Sequence, residues 1–487
     1  MRKKPNIILI NPDQWRGDVL GHMGNPAAHT PFLDEWVKTD AVSFDSAFCQ
    51  NPVCTPSRCS FMSGWYPHVR GHRTMYHMMQ PDEPVLLKTL KDNGYFVWWG
   101  GKNDLVPAEN GFDAYCHVKY EPERKPNPMF GPDLRRGDPG SDTYYSFFTG
   151  KIELKEGEPY YYDSDWANVL GAIETIRNAP RDQPFCLYLP LVYPHPPYAV
   201  EDPWFSLIDR TKLPKRIPAP TDWAGKPGMM KGLYERIGMS GWTEDRWDEL
   251  RATYYGMCAR VDDQISRIMQ ALRDAGRYED TAIFVFSDHG DFCGDYGLVE
   301  KAQNLFPDAL TRVPLIIKPP SWVPVRPRVT SAMAELIDIP ATIFDLTGIE
   351  PGFTHFGRSL LPVVAGETDE HRDAVFCEGG RRLGEFHCNE SSPANESETS
   401  LYYPRGCMQR SEAGEHTKAV MVRTRRYKYV RRLYEQDELY DLLEDPGETV
   451  NRIGDPQLAG ELASLKERLL TFYLDTADVV PFTRNLR

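Results

Sequence analysis

Cys54, Thr55, Pro56, Ser57 and Arg58 form the most reactive short run in the chain. Pro56 suits the first position of a helix, Thr55 its N-cap and Gly64 its C-terminal stop. This pattern predicts Cys54 just ahead of a helix N-terminus, where unpaired backbone N–H groups and the helix dipole favour an anion. Arg58, one turn further on, adds a fixed positive charge, so the thiol is expected to have a lowered pKa. Such a cysteine can serve as a thiolate nucleophile, a redox centre or a metal ligand. The five-residue steps from Cys49 to Cys54 to Cys59 match no usual zinc-ligand spacing and fall off a common helical face.

Other residues of comparable chemistry each follow a short apolar run. Asp13 and Gln14 follow NIILIN (6–11), Lys102 follows YFVWWG (95–100), His195 follows FCLYLPLV (185–192), and Asp288 and His289 follow AIFVFS (282–287). Taken singly, each has an ordinary role: a turn aspartate, a solvated lysine, a histidine packed in a proline loop. Continuous apolar runs of this length suit strands covered on both faces, as in a largely parallel sheet sandwiched by helices. In open α/β sheets ligands bind beyond the carboxyl ends of the strands, so the residues converge if the four strands are parallel neighbours.

Between the last two runs, Leu250, Tyr254, Met257, Val261, Ile265, Ile268 and Leu272 recur at helical spacing over 249–276, with Gly276 as the stop. The stretches 120–160 and 200–245, rich in Pro, Gly and charge, read as surface insertions lining an entrance. From about 371 the texture changes to short strand-like runs and one helical stretch at 458–476, interrupted by the polar loop 389–400. The expected division is a catalytic α/β domain over 1–370 and a smaller α+β domain over 371–487, an antiparallel sheet with one helix.

The chain has 487 residues and a formal charge of −14, from 70 acidic against 56 basic residues. That balance argues against a nucleic-acid or anionic-membrane binder, and an anionic substrate must be drawn in by a local cluster of cations. The N-terminal apolar run is too short for a signal peptide or a membrane span, which implies a cytoplasmic protein. The ten cysteines lack the dense spacing of a disulfide scaffold and read as reduced thiols.

Cys54 to Arg58 match the C-x-P-S-R maturation signature, and the chain thereby resembles the type I, formylglycine-dependent sulfatases of the alkaline phosphatase superfamily. Gly101-Lys102, His195-Pro196-Pro197, the run SDHGDFCGDYGLVEK at 287–301 and ELYDLLEDPGETVNR at 438–452 extend the resemblance over nearly the whole chain. It implies an alkaline phosphatase-like fold and conversion of Cys54, by a separate maturation enzyme, to formylglycine. One hydroxyl of its hydrate attacks the sulfur of a sulfate ester, and the other expels sulfate. By the same resemblance Asp13, Gln14, Asp288 and His289, with residue 54, hold a divalent metal. Arg58 orients the hydrate, Lys102 and Lys301 neutralise the sulfate oxygens, and His195 assists proton transfer or positions the sulfate.

Three departures bear on this expectation. Many sulfatases carry a second aspartate where this chain has Gln14, and an asparagine where it has His289. The run Asp13-Gln14-Trp15-Arg16 also resembles the phosphonate monoester and phosphodiester hydrolases of the superfamily. Calcium is the expected ion, with manganese or zinc as the alternatives that an imidazole favours. Asp104 stands where a sulfate-contacting histidine is usual and could meet a donor on the substrate. The substrate is expected to be a sulfated sugar, aryl or steroid ester, sorted by the insertions, by Trp98, Trp99, Tyr76 and His77, and by the segment 381–418. A non-catalytic metal-binding or redox protein is a third reading, against which Lys102, His195 and Lys301 weigh.

Overall fold

The computed structural model describes residues 4–129, 137–138, 141–390, 396–411 and 413–484. Parts of the 120–160 insertion and positions 391–395 of the polar loop therefore lie outside the described residues. The strands are β1 (Asn6–Asp13), β2 (Val42–Phe48), β3 (Phe96–Trp99), β4 (Val118–Lys119), β5 (Phe148–Ile152), β6 (Phe185–Pro194), β7 (Tyr198–Glu201), β8 (Thr281–Phe286), β9 (Arg312–Val313), β10 (Leu315–Lys318), β11 (Arg328–Glu335), β12 (Val375–Gly379), β13 (Ala419–Arg423), β14 (Tyr427–Arg432) and β15 (Glu438–Asp441).

The main sheet has the order β11-β2-β10-β8-β1-β6-β3-β4, with β9 paired to β2. Every pairing in it is parallel except those made by β9 and β10. The four apolar runs that precede the candidate residues occupy adjacent places, β8-β1-β6-β3, and run the same way, so their C-terminal ends open on one edge. Burial on both faces explains why these runs do not alternate: Ile8 and Ile10 join the core on one side, while Ile7 and Leu9 join the core on the other.

On the first side lies the helix Glu244–Asp274, which packs Leu250, Val261, Ile265 and Ile268 inward. It starts earlier than the apolar spacing predicts, because Glu244 and Asp245 supply a favourable acidic first turn. On the second side lie the helices Cys54–Ser63, Leu86–Asp92 and Asp338–Thr347, through Phe61, Leu90 and Ile343. The stretch 200–245 is not a surface insertion throughout. Its helix Gly228–Ile237 buries Met229, Met230, Leu233 and Ile237, an apolar face that the surrounding Pro and Gly mask in the sequence.

The strands β12-β13-β14-β15 form a separate antiparallel sheet within 371–487. Leu465, Leu469 and Phe472 of the helix Ala459–Thr476 pack on Val422, Tyr429 and Leu439 of that sheet. Its other face is not free: Val375, Met421 and Val430 join the core on the second side of the main sheet. No helix among the described residues is long and apolar enough to cross a membrane.

Candidate active site

Cys54 is the first residue of its helix rather than the one before it, with extended Val53 at the N-cap and left-handed Gly64 at the stop. Thr55 does not cap; its hydroxyl donates to the Met75 carbonyl (3.2 Å). Every residue from Cys54 to Ser63 is buried, so the helix forms the floor of the site. The expectation of a readily ionised thiol is overturned. Burial, and then the negative charge of Asp13, push Cys54 well above its ordinary value despite Lys102 and Lys301 nearby.

Asp13, Cys54, Asp288 and His289 bring one donor atom each within 4.8 Å of one another, all of them buried. The Cys54 Sγ lies 3.4 Å from Asp13 Oδ1 and 3.2 Å from His289 Nε2. His289 Nδ1 donates to the Gly290 carbonyl (2.9 Å), which leaves the lone pair on Nε2 facing the other donors. Burial lowers the pKa of His289 and keeps the ring neutral. Two buried carboxylates and a neutral imidazole aimed at one point make a donor set that fits a divalent cation. Arg58 braces the set: Nη2 reaches Asp13 Oδ2 (3.0 Å) and Asp288 Oδ2 (2.8 Å), and Nε donates to Asp288 Oδ2 (3.0 Å). Burial opposes ionisation of Asp13, but Lys102, His195 and Arg58 hold it well below the usual carboxylate range.

Gln14 takes a left-handed conformation, φ 71°, that a non-glycine residue adopts only when its surroundings demand it. Its N–H donates to Asp288 Oδ1 (3.1 Å), and its carbonyl accepts from the Tyr254 hydroxyl (2.7 Å) on the long helix. The Gln14 side chain joins Asp291 Oδ2 (2.5 Å) to Lys301 Nζ (2.6 Å). Gln14 therefore lies beside the metal-capable group, with its amide oxygen held by Lys301.

The cations gather around this group. Lys102 Nζ lies 2.7 Å from both Asp13 Oδ2 and Asp104 Oδ2, and 3.5 Å from Cys54 Sγ. Lys301 Nζ bonds Gln14 Oε1 and Glu300 Oε1, each at 2.6 Å. His195 Nδ1 donates to the Pro196 carbonyl (2.6 Å), while Nε2 stands 3.6 Å from Glu300 Oε1. Burial, then Lys301, lowers His195 to about 3, so Nε2 carries a lone pair at neutral pH.

Asp13, Gln14, Cys54, Arg58, Lys102, His195, Asp288, His289 and Lys301 thus meet in one place, and Asp104 meets it through Lys102. The same is not true of the proposed mouth: Trp98 and Trp99 are buried in the two cores, because β3 is covered on both faces. Tyr76 is exposed and donates to the Glu390 carbonyl (3.3 Å), and His77 lies beside His387. Sequence reasoning missed Glu300, Asp291 and Arg405. Arg405 pairs with Glu300 Oε2 (2.6 Å) and Glu390 Oε2 (3.0 Å), and with Lys301 it pulls Glu300 down to about 2 against the effect of burial. Glu300 and Asp291 lie inside the 287–301 run and could have been flagged as its remaining carboxylates; Arg405 lies inside the segment 381–418 expected to sort substrates, where nothing singles it out from its neighbours.

The family model described as Sulfatase matches residues 5–349, a span that contains every candidate residue from Asp13 to Lys301. Among curated proteins the chain is 25% identical to the multifunctional alkaline phosphatase superfamily protein PehA of Trinickia caryophylli, covering 98% of this chain and 96% of that one. It is 27% identical to an arylsulfatase of Clostridium perfringens over 77% of this chain and 81% of the relative. Among solved structures, the phosphonate monoester hydrolase of Agrobacterium radiobacter superposes with a TM-score of 0.77 at 23% identity, covering 97% and 96% of the two chains. A structure from the same comparison, in complex with its substrate D-glucosamine-2-N,6-O-disulfate, superposes with a TM-score of 0.71 at 19% identity, covering 98% of each chain.

Proposed function

The chain belongs to the sulfatase family, and on that premise we propose that it hydrolyses a sulfate monoester with residue 54, matured to formylglycine, as the nucleophile. The observation that carries this reading is the placement of Cys54 Sγ between Asp13, His289 and Lys102 on a buried helix start. As a thiol the residue would form an adduct with no route to release sulfate. As an aldehyde hydrate it offers two hydroxyls on one carbon.

Asp13, Asp288, His289 and residue 54 would hold a divalent ion, calcium in this proposal, with Gln14 beside them. When bound, the ion supplies a positive charge that favours a deprotonated hydroxyl and stabilises charge on the ester oxygens. Lys102 and Lys301 bind the remaining sulfate oxygens. One hydroxyl of residue 54 attacks sulfur as the bond to the alcohol oxygen breaks. The lone pair on His195 Nε2 takes up the released proton and returns it to the departing oxygen. Loss of the proton from the second hydroxyl then re-forms the aldehyde, breaks the carbon–oxygen bond to sulfate and frees it; water restores the hydrate.

A second reading, hydrolysis of phosphonate monoesters or phosphodiesters by the same steps, is favoured by Gln14 and His289. Matched rates on an aryl sulfate and an aryl phosphonate monoester separate the two, and faster phosphonate cleavage would replace the first reading. Mass spectrometry of the peptide containing residue 54, from protein made with a maturation enzyme, tests both. The expected mass reflects exchange of sulfur and two hydrogens for one oxygen, and an intact thiol in active protein would refute the nucleophile.

A further inference from the structure

The Lys301 ammonium has three N–H groups. Two are taken by Gln14 Oε1 and Glu300 Oε1, each at 2.6 Å, which leaves one for an anion. Glu300 is itself closely held. Its backbone lies in the left-handed region, φ 66°, where a non-glycine residue needs support from its surroundings. That support comes from the Tyr198 hydroxyl, which accepts from the Glu300 N–H (3.0 Å), and from the Phe292 N–H, which donates to the Glu300 carbonyl (3.0 Å). The second carboxylate oxygen, Oε2, accepts from the Lys301 backbone N–H (3.1 Å) and from Arg405 Nη1 (2.6 Å).

Arg405 comes from the helix Tyr403–Arg410, far along the chain. Its Nη1 also donates to the Lys301 carbonyl (3.2 Å), and its Nε stands 3.0 Å from Glu390 Oε2. Glu390 is fixed in turn, since its N–H donates to Gln409 Oε1 (2.7 Å) and its Oε2 accepts from Gln409 Nε2 (3.0 Å). A line of polar contacts thus runs from Gln409 through Glu390, Arg405 and Glu300 to Lys301.

We propose that Glu300 and Arg405 are positioning residues that aim Lys301 at the anionic end of the ester. Arg405 fixes one oxygen of Glu300 and so turns the other to Lys301 Nζ. That same oxygen stands 3.6 Å from His195 Nε2, so one carboxylate spaces the anion-binding lysine from the proton-carrying histidine. By charge alone, a carboxylate this near an anion site would repel the ester. Arg405 takes up part of the charge that would otherwise offset Lys301, which lets Glu300 orient the lysine without cancelling it.

The inference rests on Lys301 as an anion ligand in the proposed function, and sulfate binding tests it apart from turnover. Calorimetric titration of the full matured chain with sodium sulfate, at constant ionic strength, reads the affinity. Glu300→Gln keeps the size of the side chain but has a single oxygen, which cannot serve Lys301 and Arg405 as the two carboxylate oxygens do. In that variant and in Arg405→Met, each checked for a native melting transition, sulfate affinity should fall at least about five-fold. Arg405→Lys, which keeps the charge, should recover part of the loss. In a Lys301→Ala background the same substitutions should change affinity less than about two-fold, because both residues act through that ammonium. Tighter binding by Glu300→Gln, the result expected of a carboxylate that acts only by its charge, overturns the proposal. Unchanged affinity in the folded variants, equal losses with and without Lys301, or no sulfate binding by the wild type overturns it as well. Failure of the matured wild type to cleave any ester would overturn the proposed function instead, and the sulfate titration would still decide the roles of Glu300 and Arg405.

Discussion

Arg58 is enclosed between Asp13 and Asp288, and no water reaches any of the three. Such a triad is costly to form and more costly to break, because removing Arg58 leaves Asp288 buried without its cation and Asp13 with Lys102 alone. In chelator-treated protein Arg58→Met should destabilise the fold by about 3–5 kcal/mol in denaturant unfolding, and a loss under about 1 kcal/mol would contradict this role. A second buried group acts through pH. His416 Nε2 meets Gln303 Oε1 (2.6 Å), and burial, then Arg381 and Arg405, lowers it from an ordinary 6.5 to about 3. Between those values the unfolded chain binds a proton that the native state refuses. The contribution of His416 is complete above 6.5 and is lost as pH falls toward 3, by about 1.4 kcal/mol per pH unit. His416→Gln should therefore lose less stability than the wild type between neutral and mildly acid pH. Parallel stability curves for the two proteins would exclude the effect.

The turn after β3 shows how elements set the site. Gly101 has φ +89°, and a Cβ there would stand 2.2 Å from the Pro190 carbonyl oxygen on β6. Only glycine lets the chain pass β6 this closely and deliver Lys102 to Asp13. Gly101→Ala should cost about 1–3 kcal/mol and raise KM more than it lowers kcat, and wild-type stability and KM together would contradict the argument. Much of this scale was legible in advance. The unbroken apolar runs predicted parallel buried strands, and their shared edge brought Asp13, Lys102, His195 and Asp288 together. What stayed hidden depended on packing. Cys54 is raised rather than lowered because the whole helix is buried, which no cap signal reveals. Trp98 and Trp99 resembled mouth aromatics until both faces of β3 proved covered. Arg405 reaches Glu300 across 105 positions of sequence, a separation at which no local pattern operates.

At the scale of the molecule the two sheets are joined by buried polar contacts. Lys428 on β14 is fully buried and reaches the Phe306 carbonyl (2.8 Å), Asp308 (2.7 Å) and Glu448 (2.7 Å), tying the C-terminal sheet to the loop that follows Lys301. Arg432 on the same strand donates to the Asn304 carbonyl (3.0 Å). Lys428→Met should lower the melting temperature in a single transition that both sheets share, whereas two separated transitions would show independent units. With a net charge of −14, the anionic ester of the proposed function would have to be met locally, by Lys102 and Lys301. Catalysis as proposed turns on residue 54. Release of free sulfate from an aryl sulfate, compared between matured wild type and Cys54→Ala of equal melting temperature, is the most direct measurement. The account predicts turnover in the first and a loss of at least about a thousand-fold in the second. Comparable sulfate release by both proteins would contradict it.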